Sequence, residues 1–423
     1  MSDPDASDVP PRRYSLRATK PALASSVLPP VRGGHSACLA SLQLVIFGGH
    51  AYLGNGAFQY LEDVWVLDCR SLAWSKVDCC RPLDADEAPD GNNFLGLSGR
   101  GPRPPGPVAR YGHTATLVGS RMFVFGGRGA NGVNLRDLWY LDLQTWRWVP
   151  VSATTAGPMP RFYHAATAVG RKLVLHGGWS GTVSTKSRQE SSGLETLAAN
   201  ESRAAKSVFD DLWVFDTDTF VWVKPRTGGL APKALYGHTL NLSPDGESLL
   251  LFGGVTVTPP STAGSGSAGG GVPQYFNDVR SLSTRTLLWS RPRNVGSVVS
   301  ERYAHTLTSL CDAESGLPTG RYVLFGGWGY GGMQSPDEGN KKAGASSIFV
   351  LDRGEEGQEQ GETSREWTWT EPDRSGGGAL THKYGHTTTD LGGGVLFVFG
   401  GWNGKQATNE IVVIELREES IGV

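Results

Sequence analysis

The sequence predicts an all-β protein built as a six-bladed propeller, and three observations lead there. An apolar run closed by a Gly-Gly pair occurs six times in 423 residues, ending at Gly49, Gly127, Gly178, Gly254, Gly327 and Gly401. A histidine precedes each pair, and an Asp-x-Trp segment or a drifted copy of one follows it. Each unit thus reads as four short strands, and a four-stranded sheet with apolar faces is buried only by stacking radially on its neighbours.

The composition agrees with this reading. Gly contributes 58 residues and Pro 25, too many for a helical protein and without a triplet period, while 13 Trp and 12 Tyr supply core volume. Formal net charge is -2, so no global basic field attracts nucleic acid or an anionic membrane. The opening stretch MSDPDASDVPPRR is acidic and polar, and no apolar run approaches the roughly 20 residues that span a bilayer. A cytoplasmic or nuclear protein, probing neither nucleic acid nor lipid, is expected. Five cysteines (Cys38, Cys69, Cys79, Cys80, Cys311) form an odd count with no CxxC or Cys/His cluster, which argues against a disulfide framework or a zinc site.

The elements follow in order along each repeat. The motif histidines are His35, His113, His164, His238, His305 and His386, lying 13, 13, 13, 15, 21 and 14 residues before the first Gly. Each marks strand a, nearest the axis, and the Gly-Gly pair closes strand b. Strand c reads Asp-x-Trp-x-x-Asp at 63–68, 137–142 and 211–216, with drifted copies at 278–283, 347–352 and 410–415. Strand d holds Trp74, Trp148, Trp222 and Trp289, and Trp369 after an insertion.

The His, Gly-Gly, Asp-x-Trp and downstream Trp, at a minimal period of 51 residues between Gly126 and Gly177, resemble the Kelch repeat. The resemblance covers nearly the whole chain and implies a Kelch-type β-propeller at 13–418, flanked by a disordered acidic tail at 1–12 and a C-terminal tail at 419–423. The last repeat ends after its third strand. The cross-terminal closure of this family then implies that residues 14–18, around Tyr14, supply the missing outer strand of blade six, removing an open edge.

Successive Gly pairs lie 78, 51, 76, 73 and 74 residues apart, so all units but one hold about 25 surplus residues. The low-complexity insertions fall around 79–107, 180–208, 255–275 and 353–365. Strand direction alternates, so the b-to-c and d-to-a connections leave on one face, and most insertions decorate it. That face is where loops on a rigid scaffold would bind. The segments at 182–207 and 258–271 have the composition of mobile chain.

Six internal copies separate scaffold from individuality. A residue type present in every copy is explained by the fold, so the motif histidines read as buried groups hydrogen-bonded to neighbouring backbone. Three residues before each histidine stand Arg32, Arg110, Arg161, Leu235, Arg302 and Lys383. Directly after each Gly pair stand His50, Arg128, Trp179, Val255, Trp328 and Trp402. Together they predict a basic, Trp-rich mouth suited to an acidic or phosphorylated partner segment. Kelch adaptors that bind acidic peptides take their contacts from equivalent places. Pairing of the arginines with Asp63, Asp137 and Asp211 inside the blades is the competing reading, and both stay open.

Catalysis finds little footing. The resemblance admits a copper radical oxidase and iron-dependent specifier proteins that use the axial pocket, but the Glu-x-x-x-Asp-x-x-x-His metal motif of the latter is absent here. His382 and His386 have helical metal-ligand spacing yet precede and enter a strand, and no Gly-x-Ser-x-Gly occurs. The expectation is a non-catalytic, monomeric protein-interaction scaffold with neither cofactor nor metal; a propeller enzyme or small-molecule binder is the alternative.

Overall fold

The computed structural model describes residues 12–54, 56–79, 106–181, 208–258, 272–329, 348–359, 362–374 and 380–419. The insertion cores 80–105, 182–207 and 259–271, and the tails at 1–11 and 420–423, lie outside them. The described residues contain no α-helix, only a three-residue 3-10 turn at Ala130–Gly132. None of their helices is long and apolar enough to cross a membrane. The chain divides into two compact units, one of Leu23–Arg226 with Ala234–Tyr236, the other of Met1–Ala22, Thr227–Lys233 and Gly237–Val423.

The first unit holds blades one to three. Their strands a to d are Ser36–Ala40, Gln43–Phe47, Val64–Asp68 and Ala73–Val77 in blade one. Blade two has Thr114–Val118, Arg121–Phe125, Leu138–Asp142 and Arg147–Pro150; blade three has Ala165–Val169, Lys172–His176, Leu212–Asp216 and Val221–Val223. Each blade is an antiparallel a-b-c-d meander. The second unit repeats this in blade four (Thr239–Leu242, Ser248–Phe252, Val279–Ser283, Leu288–Ser290) and blade five (Thr306–Cys311, Pro318–Phe325, Ile348–Glu359, Glu362–Thr370). These are five of the six four-stranded blades of a β-propeller.

Blade six takes strands a to c from Thr387–Asp390, Val395–Phe399 and Ile411–Glu419, and strand d from Arg13–Thr19. The last two pair antiparallel from Arg13 opposite Glu419 to Thr19 opposite Val413. Alternation seats Tyr14, Leu16 and Ala18 in a core with Val323, Leu396 and Ile414, and Tyr14 Oη donates to Asp352 of blade five at 2.7 Å. The N-terminal outer strand therefore closes the last blade as expected.

Strand b is a continuous apolar run because both of its faces are covered. Val45 and Phe47 of blade one share a buried cluster with Met122, Val124 and Trp148 of blade two, and Phe123 and Phe125 continue against Leu173, Phe215 and Trp222. The Gly pairs sit where one blade's backbone meets the next. The N–H of Gly49 donates to Arg110 O at 2.8 Å and that of Gly127 to Arg161 O at 2.9 Å. A Cβ on Gly48, whose φ is +66°, would stand 2.8 Å from Arg110 O, so the position tolerates only glycine.

Two expectations are corrected here. The segment 353–365 is a continuation of strands c and d, paired to Glu359 opposite Glu362 across a bulge between Arg353 and Glu356, rather than a loop. Outer strands also gain a fifth partner that the repeat pattern did not announce. Gly228–Gly229 pairs parallel with strand d of blade four and Arg293–Gly296 with that of blade five. Ala24, Thr154 and Asp373 bond to the outer strands of blades one, three and six in the same way. In these five blades the segment leading into a blade covers its free edge.

Candidate functional site

The basic positions before each histidine are inside the blades. Arg32, Arg110, Arg161 and Lys383 are 0% exposed and Arg302 3%. Arg161 Nε donates to Met159 O at 3.0 Å, Nη1 to Gly177 O at 2.9 Å and to Asp211 Oδ1 at 2.6 Å, and Nη2 to Asp211 Oδ2 at 3.2 Å. Arg32 and Arg110 grip Asp63 and Asp137 in the same bidentate form. The Asp-x-Trp motif completes each triad, since Trp65, Trp139 and Trp213 donate their indole N–H to that same aspartate at 2.7, 2.8 and 2.8 Å. Burial pushes the Asp137 and Asp211 carboxyls up, but the arginine hydrogen bonds outweigh it and hold both below the usual range.

The cation ring proposed as a binding mouth is thereby corrected to an internal set of pairs. Arg302 is held by Ser300 O, Ser300 Oγ and Gly326 O, and burial lowers its pKa to about 10. Lys383 lies 3.2 Å from Thr408 Oγ1 and 3.5 Å from Glu410. A guanidinium whose donors are turned inward offers no fork to a partner's carboxylate.

The motif histidines are structural as well, and blade hydroxyls join the expected backbone partners, which are Phe47 for His113, Phe252 for His305 and Phe325 for His386. His113 Nε2 hydrogen-bonds to the Ser36 hydroxyl at 2.8 Å, His164 to Thr114 at 2.8 Å and His386 to Thr306 at 3.0 Å. Each therefore ties its blade to the side chain that follows the histidine of the preceding blade. Burial pulls His113 and His305 down to about 3, and His164 and His386 well below the ordinary value, so all four are neutral. His382, the other half of the helical-spacing pair, instead meets Gly327 O. Among the described residues no cluster of three His, Cys, Asp or Glu could hold a metal.

The positions after the Gly pairs have a different fate, because strand-like bridges bring them against the residue that follows each basic position. His50 bridges Gly33, Arg128 bridges Tyr111, Trp179 bridges Phe162, Trp328 bridges Tyr303 and Trp402 bridges Tyr384. His50, Trp179, Trp328 and Trp402 are half-buried. Arg128 is nearly buried, lies 5.3 Å over the Phe162 ring and donates to Gly181 O at 3.3 Å. His50 Nδ1 donates to Gly33 O at 3.0 Å, and burial lowers its pKa to about 4.

In the first unit these rings join into a band across three blades. Ring centroids are 4.0 Å apart for His50 and Tyr111, 5.9 Å for Tyr60 and Tyr111, and 5.9 Å for Tyr111 and Tyr163. Phe162 and Trp179 follow at 5.2 Å, and Trp179 stacks on Tyr236 at 5.1 Å with planes 19° apart. The b-to-c connection of blade one, a hairpin of His50–Gly54 and Ala57–Tyr60, extends the band with Tyr52, Leu53 and Phe58 at 44, 64 and 45% exposure. In the second unit Trp328 packs on Tyr384 at 5.2 Å and Tyr275 on Tyr303 at 5.7 Å. Blade four adds little polar contact, since Leu235 and Val255 are buried.

Tyr111, Tyr236, Tyr303 and Tyr384 are the site residues that sequence reasoning missed, and Phe162, at the equivalent position, is buried and supports Trp179. Their signal is plain in hindsight: an aromatic residue follows the basic position in five of six copies, Gly33 being the exception. The half-buried rings present faces, edges and hydroxyls, and no free charge, at the end of the blades where the b-to-c connections leave.

Comparison with known proteins places the chain in context. The model of the KLHDC2/KLHL20/DRC7 Kelch-repeats domain matches residues 97–199 and 198–352, more than half of the chain. The chain is 29% identical over 416 residues to putative adagio-like protein 2 of Oryza sativa subsp. japonica, covering 93% of this chain and 49% of that protein. It is 29% identical over 220 residues to host cell factor homolog hcf-1 of Caenorhabditis elegans, covering 48% and 25%. Kelch domain-containing protein 3 of Bos taurus is 24% identical over 252 residues, covering 57% and 52%. The chain thus spans about half the length, or less, of these curated relatives.

Proposed function

The chain belongs to the Kelch-repeat family, and on that premise we propose that it is a non-catalytic interaction module that takes a partner protein's segment on its b-to-c and d-to-a loop face. The observation that supports this most is the aromatic band from Tyr60 through Tyr111 and Trp179 to Tyr236, continued by the exposed Tyr52, Leu53 and Phe58. Half-buried Tyr and Trp rings held by neighbours are the side chains that anchor protein interfaces at low entropic cost. The preference for an acidic or phosphorylated segment loses its footing, because the cations that suggested it are turned inward. The segment recognised is one that lays apolar and aromatic side chains against rings.

The enzyme alternative gains nothing from the site, where His113, His164 and His386 are neutral, buried and hydrogen-bonded to blade hydroxyls. The test is affinity capture from lysate with quantitative mass spectrometry, comparing wild type with Tyr111→Ala/Trp179→Ala after checking that both remain folded. Specific partners should fall by about tenfold, the loss of roughly 1.4 kcal/mol that one hot-spot ring supplies. An unchanged partner set would sink the proposal for this face.

A further inference from the structure

The strand that closes blade six holds one hydroxyl in a setting the fold does not explain. In Arg13–Thr19 the side chains of Tyr14, Leu16 and Ala18 are buried, so Arg13, Ser15, Arg17 and Thr19 share the opposite face. Arg13 and Arg17 are exposed and Ser15 is half-buried between them. Directly opposite Ser15 across the ladder stands Arg417, with Glu419 opposite Arg13 and Glu415 opposite Arg17. Side chains directly opposite have Cβ atoms about 5 Å apart, and residues two apart on one strand lie at about 7 Å. Three guanidiniums therefore surround one serine hydroxyl, with one positive charge in excess over the two glutamates. Arg417, 75% exposed, leans on Glu415 at 3.1 Å.

The chain order adds a second, independent feature. Arg12 and Arg13 stand three and two residues before Ser15, a pattern that suits a protein kinase with an acidic substrate cleft. Such a cleft takes an extended, unpaired segment. The strand is suited to that as well, because its ladder partner lies about four hundred residues away in sequence and, among the described residues, its other edge is bonded through Asp373, by Leu16 N to Asp373 O at 2.8 Å and Asp373 N to Tyr14 O at 2.7 Å. A strand held by one distant ladder and two edge bonds is where local opening begins.

We propose that Ser15 is a phosphorylation site for a basophilic protein kinase acting on the undocked strand, and that the phosphate then fastens the strand to blade six. In the transfer, Ser15 Oγ attacks the γ-phosphorus of ATP and the bond to the bridging oxygen of ADP breaks. ADP leaves, and the hydroxyl proton passes to the kinase's catalytic carboxylate. Phosphoserine brings between one and a half and two negative charges and three acceptor oxygens, roughly, into the reach of Arg13, Arg17 and Arg417. Charge-assisted hydrogen bonds to the latter two replace the weak surface pair of Arg417 with Glu415. The modification thus records that the strand was open and resists its reopening.

The test uses the full chain, Mg-ATP and the catalytic subunit of cyclic-AMP-dependent protein kinase as the probe. Peptide mapping should place the phosphoryl group on Ser15, and Ser15→Ala should abolish it. Tyr14→Phe, which removes the bond to Asp352 and loosens the strand, should speed incorporation about fivefold. Hydrogen exchange across 13–19 should slow about tenfold on phosphorylation, and Arg417→Ala should remove most of that gain. Absence of phosphate on Ser15 even in Tyr14→Phe overturns the site. Exchange that quickens or stays level in the phosphorylated chain overturns the fastening.

Discussion

Blades one to three hold each buried arginine against an aspartate and a tryptophan, whereas blades four to six reach the same backbone junctions without that triad. Gly254 N donates to Arg302 O and Gly327 N to Lys383 O at 2.8 Å, just as Gly49 N donates to Arg110 O. The side chains around these junctions have been replaced. In blade four Leu235 takes the arginine's place and Arg280 the tryptophan's, and Asp278 pairs instead with Arg280 at 3.2 Å and Arg291 at 2.6 Å. In blade five Arg302 lies over the Phe349 ring at 5.6 Å. In blade six Lys383 and Lys20 share Glu410. The difference teaches that the glycine–carbonyl bond defines the blade junction. The triad is one way of satisfying a cation that the junction buries.

What both halves share should dominate their stability, and acid is the way to expose it. His113 and His305 are held near 3, with His164 and His386 well below the ordinary value, by burial, against about 6.5 in the unfolded chain. The unfolded state therefore binds more protons below pH 6.5. The stability these neutral histidines provide is complete above that pH and is lost as pH falls toward 3, at up to about 1.4 kcal/mol per unit for each. Urea unfolding at pH 7, 6 and 5 should show the fall. A stability that is level from pH 7 to 5 would mean that the rings are not buried neutral.

The triad itself separates the halves next. Arg161→Ala takes from Asp211 its bidentate cation, leaving it the Trp213 N–H and Lys224 at 3.6 Å, strips Gly177 O and Met159 O of that donor, and empties the place of a guanidinium 4.1 Å over Phe209. Breaking one side of a buried pair costs about 3 to 5 kcal/mol, so the denaturation midpoint should drop sharply. A cost under about 1 kcal/mol would return the arginines to the exposed, partner-facing role.

A smaller asymmetry belongs to blade three. Strand b ends in Phe47, Phe125, Phe252, Phe325 and Phe399 in the other blades, but in His176 here. It is fully buried, and its pKa is lowered to about 4 by burial, opposed by the Asp211 charge. His176→Phe should stabilise by about 1 kcal/mol at pH 7, since it removes a desolvated polar ring. The gain should widen below pH 6.5, where the histidine would otherwise discourage folding. Destabilisation at pH 7 would show that the ring's hydrogen bond to the Asp210 backbone is worth more than its desolvation.

The repeat made the fold readable because strand b, the Gly pair and the Asp-x-Trp recur at fixed distances, and because Tyr14, Leu16 and Ala18 alternate as an outer strand must. Two parts were not readable. The strands through 353–365 are rich in Gly, Glu and Gln, residues with little strand preference, and pair because a ladder already begun extends at low entropic cost. The edge-covering segments such as Gly228–Gly229 have no apolar pattern, since they contribute hydrogen bonds, from backbone and from hydroxyls such as those of Ser25 and Thr155. At the site, recurrence misled in both directions. Arg32, Arg110 and Arg161 recur because they are internal, which left both readings open. Tyr111 and Tyr236 recur too, yet stay half-exposed, so recurrence alone does not separate buried from accessible positions.

The smallest effect is expected where the triad was replaced on the surface. Arg291 reaches Asp278 from solvent, with 58% of its side chain exposed and the aspartate's 27%. Such a pair contributes about 0 to 1 kcal/mol and is screened by salt. Arg291→Ala should therefore shift the urea midpoint barely, and the shift should vanish in high salt. Asp278 keeps Arg280 at 3.2 Å when Arg291 is gone, which limits the loss further. A cost approaching that of Arg161→Ala would mean that blade four rebuilt the triad in another form, with Arg291 as its cation, and the two halves of the chain would then obey one rule.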